Sequence, residues 1–155
     1  MSQNQGSLPD GVERIHIAVT VYAGANRQIH ARARDQEILM DVPKERGGDN
    51  AGPTPPETLA MALGGCILNV CRILAVQKGI VLEDLRVSVA GDIDPSRAFG
   101  LTTEARAGFS HLSVRLEVVS KLSDAEKEEF HRELCERCPL CDTIGNPVPV
   151  EVVFA

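Results

Sequence analysis

At 155 residues the chain has the length of about one domain, and 43% hydrophobic against 25% charged residues is an ordinary balance for a globular protein. A net charge of −6 disfavours nucleic acid, whose phosphates require clustered Lys and Arg, and disfavours docking to an anionic membrane surface. Aromatic residues make up only 3% and Trp is absent, so the core has to be aliphatic.

Residues 1–11 are polar, carry Gly and Pro, and read as a flexible tail ahead of a single domain over 12–155. No basic start or apolar stretch marks a signal peptide, and five cysteines without one point to a reducing cytoplasm. From Glu13 to Tyr22 the alternation of Ile15, Ile17, Val19 and Val21 predicts a strand with one buried face. Gly24-Ala25-Asn26 is a turn signal, Gln28 to Ala33 a second strand, and Glu37 to Val42 a third, which together make an antiparallel meander. Lys44 to Asn50 is a loop by composition.

The central element is a helix that opens on Pro55 or Pro56, where a missing N–H costs nothing, and closes at Gly79. Its uncharged run from Thr58 to Cys71 is apolar all round, which means burial, and is too short to cross a bilayer. Gly64 and Gly65 each cost about 1 kcal/mol of helix propensity relative to Ala, so close approach of a backbone or a substrate is expected there. Cys66 follows them, either as a small core residue or as a thiol in a closed pocket. Cys71, five positions on and about 140° round the helix, belongs to the core.

Leu85 to Asp94 and Ser110 to Ser120 read as a strand pair around a polar loop. Ser123 and Glu126 form a capping box for a helix running to about Arg137. Cys138-Pro139 starts a short helical turn, and Val148 to Phe154 closes the chain as a strand. The order βββ-α-ββ-α-β predicts an α+β domain with helices packed on strongly curved antiparallel sheets.

Cys135, Cys138 and Cys141 admit two chemistries. With His131 they would give zinc three thiolates and an imidazole. The redox alternative pairs two thiols from distant sequence. Cys138 suits it, because free N–H groups at a helix start and the adjacent Arg137 favour a thiolate.

The stretch GPTPPETLAMALGGC, followed about seventy residues later by CPLCDTI, resembles the osmotically inducible protein C (OsmC) and organic hydroperoxide resistance superfamily, in its OsmC-like branch. The resemblance covers nearly the whole chain from about Ile15. It implies curved sheets wrapped around a central helix in an intertwined homodimer. It implies a thiol peroxidase of the oxidative stress response that acts on organic hydroperoxides. Cys66 attacks the peroxide and Cys138 resolves the sulfenic acid as a disulfide; no cofactor takes part, and an external dithiol, such as a lipoyl-type one, restores the thiols. The activating arginine of the family comes from the first hairpin, where Arg27 is chosen over Arg32 and Arg34.

Three departures accompany the resemblance. The family's glutamate, ten residues before the reactive cysteine, is Pro56 here, and Glu57 stands one residue closer, about 100° round the helix. The arginine is not fixed by spacing. Cys141 and Cys135 are extra thiols. Two alternatives therefore stand beside the peroxidase. One is the zinc module, and the other is an OsmC-like protein that binds a small apolar or sulfur-containing ligand.

Overall fold

The computed structural model describes residues 13–154, so the expected tail of residues 1–11 lies outside the described residues. The chain divides into two compact units, Met1–Pro55 and Pro56–Ala155.

In the first unit β1 (Thr20–Ala23), β2 (Ile29–Ala33) and β3 (Gln36–Met40) form an antiparallel sheet in the order β1-β2-β3. Tyr22 faces His30 and Ile29 faces Met40. Asn26 carries the tight β1–β2 turn at φ 51°, a left-handed conformation that Asn tolerates. The first strand starts at Thr20, not at Glu13 as the alternation predicts. Alternation reports a face to be covered, but a strand also needs a ladder partner, and residues 13–19 have none among the described residues.

Beyond β3, the fully buried carboxylate of Asp41 accepts N–H donors from Val42 at 2.8 Å, Asp49 at 2.9 Å and Ala51 at 3.0 Å. The Ala51 N–H is the strongest of the influences that hold this carboxyl below its usual range. The loop read from composition alone is therefore a wrapped anion, with a short 3-10 turn at Lys44–Arg46 inside it.

The second unit is built on α1 (Pro55–Lys78). Gly79, at φ 65°, and Ile80 close the helix by donating to the carbonyls of Val76 and Ala75, the paired bonds of a Schellman motif. By length and composition alone α1 passes as a membrane-crossing helix, as the core helix of a soluble protein also can. Here its Leu63, Ile67, Val70, Cys71 and Leu74 pack with Phe130 and Leu134 into one cluster. The antiparallel pair β4 (Glu83–Gly91) and β5 (Leu112–Val119) adds Leu85, Val87, Val89, Leu112 and Leu116.

Helix α2 (Asp124–Arg137) begins with a complete capping box. Ser123 N donates to Glu126 at 2.8 Å, and Glu126 N donates back to Ser123 Oγ at 3.4 Å. Such a cap contributes about 1 kcal/mol. At its other end α2 is tied to α1: Lys78 bridges Glu133 at 2.6 Å and Glu129 at 3.3 Å, and Arg137 donates to Gln77 at 2.8 Å.

A separate seven-residue helix, α3 (Pro139–Gly145), follows. The expected last strand over Val148–Phe154 is not formed: the segment pairs with no strand among the described residues. Val150 and Phe154 are 84% and 102% exposed. The molecule is thus α+β with antiparallel sheets, and both strand expectations that fail lie in segments with no ladder partner among the described residues.

Candidate active site

Proline placement shapes the site. Pro139 disfavours the helical region for the residue before it, and Cys138 is extended at φ −84°, ψ 111° between α2 and α3. The corner turns Cys138 inward until it is fully buried in the α1–α2 cluster. Cys66, half-buried on α1, and Cys141, half-buried in the first turn of α3, pack against the same cluster. Cys66 therefore shares one neighbourhood with two thiols that lie about seventy residues further along the chain.

Their ionisation is unequal. Burial alone would raise Cys138, but donors around its sulfur outweigh that: first the N–H of Cys141, then the thiols of Cys141 and Cys66, then the N–H of Leu140. No regular capping bond is closed, yet these groups are near enough to favour the anion, and the thiol falls below the ordinary 9.0. Cys66 is raised by burial, against the N–H of Leu140, and further by the neighbouring Cys138. Cys141 is pushed up to about 12 by burial, by its hydrogen bond to Cys138 and by the charge there. Cys138 is thus the thiol of the cluster that ionises most readily, with Cys66 and Cys141 as donors to its sulfur.

Cys71 is buried in the core, as its position round the helix predicts, and burial pushes it to about 11. These shifts fix a pH dependence. A depressed thiol pKa adds stability only when the group is ionised, so the Cys138 contribution grows as pH rises through its folded value toward 9.0. Cys71 and Cys141 act the other way. Their contribution is complete below 9.0 and is lost as pH climbs toward about 11 and about 12. Thiolate ultraviolet absorbance should therefore show one thiol titrating below 9.0, and Cys138→Ser should remove that component. An unchanged titration in the variant would contradict the assignment.

Of the other predicted site residues, Glu57 lies in the first turn of α1. It lines a groove of about 480 Å³ with Ala60, Met61, Gly64, Gly65, Leu68, Val87 and Val89. Arg27 lies in the first unit, at the β1–β2 turn beside Gly47. The structure brings Cys66 and Cys138 together; Glu57 stands along the groove, and Arg27 in the other unit.

At the glycines the expected approach of a backbone is not found among the described residues, and both line the groove instead. A Cβ on Gly64 would meet the side chains of Val89 at 3.4 Å and Val87 at 3.7 Å, not a backbone, and one on Gly65 would meet open space. The zinc set is corrected too. Cys135 pairs on the exposed side of α2 with His131, Sγ to Nε2 3.6 Å, while Cys138 and Cys141 turn to Cys66. No group of three or more metal-binding side chains is poised to hold an ion among the described residues. The residue undervalued from sequence is Cys141, although the C-P-L-C spacing was its signal.

The sequence pattern of the OsmC-like protein family matches residues 47–153. No curated protein matches the chain. Among solved structures, an OsmC-like protein from Mycoplasma pneumoniae superposes with a TM-score of 0.74 at 22% identity, over 86% of this chain and 89% of that one. The organic hydroperoxide resistance protein OsmC from Legionella pneumophila gives 0.61 at 23% identity, over 86% and 91%. An organic hydroperoxide resistance protein from Elizabethkingia anophelis gives 0.60 at 19%, over 84% and 88%. At these identities the likeness speaks for the fold.

Proposed function

We propose, from the premise that the chain belongs to the OsmC-like protein family, that it is a two-cysteine peroxidase for organic hydroperoxides. The observation that carries this reading is the meeting of Cys66 with a Cys138 thiol whose pKa is lowered. Cys138 ionises more readily than Cys66, and as thiolate it takes the Cys66 proton as attack begins. The Cys66 sulfur bonds the distal peroxide oxygen, the O–O bond breaks, and the alkoxide takes the proton held by Cys138 and leaves as an alcohol. The Cys138 thiolate so restored attacks the sulfenic sulfur; the S–S bond forms, the S–O bond breaks, and the hydroxide takes a proton from solvent and leaves as water. An external dithiol, available in a reducing cytoplasm, returns both thiols.

The groove beside Gly64 and Gly65 supports an apolar substrate, because Ala60, Met61, Leu68, Val87 and Val89 line it. Arg27 is proposed as the cation that favours the attacking thiolate, and Glu57, which lines the groove, as the carboxylate that orients the cation. Catalytic consumption of cumene hydroperoxide with a lipoyl-type dithiol tests the reading; consumption no faster than without protein would sink it. A second reading, binding of a small apolar or sulfur-containing ligand without turnover, is favoured by the raised Cys66 thiol and the Pro56-Glu57 register. It predicts binding in the groove together with that negative result.

The working form in this reading is a homodimer. Ile15, Ile17, Val150 and Val152 are each at least 80% exposed, in extended segments that pair with no strand among the described residues. A second copy would give those segments neighbouring edges and cover their apolar faces. Sedimentation equilibrium should return twice the chain mass at micromolar concentration, and a monomer would contradict this.

A further inference from the structure

We propose that Cys141 is a second resolving cysteine, which moves the disulfide from Cys66–Cys138 to Cys138–Cys141 before the external reductant acts. The inference rests on the peroxidase reading for its first disulfide and goes beyond it. Cys138 is the shared neighbour, with the thiols of Cys66 and Cys141 both directed at its sulfur. All three pack on one cluster, so the exchange needs no approach from outside. Cys138 and Cys141 stand three residues apart on either side of Pro139, a separation that brings side chains together at the start of a helix.

The step balances within the chain. The Cys141 sulfur attacks the Cys138 sulfur, the Cys138–Cys141 bond forms, and the Cys66–Cys138 bond breaks. Cys66 leaves as thiolate and takes up the proton that Cys141 gives. Nothing is oxidised or reduced overall. Timing follows from charge: after burial, the largest causes that hold Cys141 protonated are its hydrogen bond to Cys138 and the charge there. Both vanish once Cys138 is in a disulfide, so Cys141 gains acidity at the stage that uses it. The exchange frees Cys66 for another peroxide and leaves the disulfide on α3, where Cys141 is half-buried.

Trypsin makes the test direct, since cleavage after Arg72 and after Arg137 places Cys66 and the Cys138–Cys141 pair on different peptides. The whole protein is oxidised with one equivalent of cumene hydroperoxide, or in a parallel arm with diamide, then alkylated, digested and weighed. The expected product is the peptide from Cys138 onward, lighter by two hydrogens and unalkylated, with Cys66 alkylated. In Cys141→Ser a Cys66–Cys138 cross-link should accumulate instead. A wild-type protein that ends cross-linked through Cys66 and Cys138, with Cys141 alkylated, overturns the proposal; this arm requires no variant to fold. If diamide gives a Cys66–Cys138 cross-link that converts to Cys138–Cys141 with time while the hydroperoxide gives no disulfide, the exchange stands and the peroxidase reading falls; Cys138–Cys141 formed with no earlier Cys66–Cys138 cross-link overturns the exchange.

Discussion

Cys66→Ser is expected to lower hydroperoxide consumption by more than about a thousandfold, to the rate of the dithiol alone, because the atom that bonds oxygen is lost. A serine hydroxyl at this place is no substitute. It ionises far above a thiol, and the environment already works against charge there, since burial raises even the Cys66 thiol. The half-buried position accepts serine without a large change in volume, so an unchanged circular dichroism spectrum should accompany the loss. A variant that keeps a tenth of wild-type turnover would move the chemistry to another thiol. Cys138, the acidic member of the cluster, would be the first to examine.

The largest stability effect is expected at Leu74→Ala, with a loss of about 2–5 kcal/mol. Leu74 is fully buried on α1 and belongs to the cluster formed with Phe130, Leu134, Cys71 and Cys138. Its removal leaves a cavity that a helix fastened at its C-terminal end cannot easily close. Gly79 and Ile80 fix the last turn of α1, and Lys78 holds it to Glu129 and Glu133 of α2. Against the roughly 5–15 kcal/mol that stabilises a typical domain, this is a large share. The shift of the urea midpoint at constant slope measures it. A loss below about 1 kcal/mol would mean that the cluster repacks freely. Because Cys138 stands in the same cluster, its thiolate titration should also broaden or rise in this variant.

Local patterns proved legible wherever the deciding interaction is local. The α1 boundaries follow from Pro55 and Gly79, and the capping box from Ser123 and Glu126, because each depends on atoms within a few residues. Residues 13–19 and 148–154 carry strand alternation but no ladder among the described residues, since pairing depends on an edge that the pattern does not encode. Asp41 gave no signal, because its partners Asp49 and Ala51 are backbone groups whose sequence is nearly irrelevant. The thiols divide in the same way. Pro139 announces the corner at Cys138, but which of Cys66, Cys138 and Cys141 ionises most readily depends on donors gathered from α1 and α3. The zinc reading failed for the same cause, as the short spacing of Cys135 to the later thiols hides their opposite directions.

The most direct test of the account counts thiols in the denatured protein after one equivalent of cumene hydroperoxide per chain. The account predicts that the five thiols fall to three, with one molecule of alcohol formed, whether or not the disulfide then migrates to Cys141. Five thiols remaining beside unconsumed hydroperoxide would contradict it.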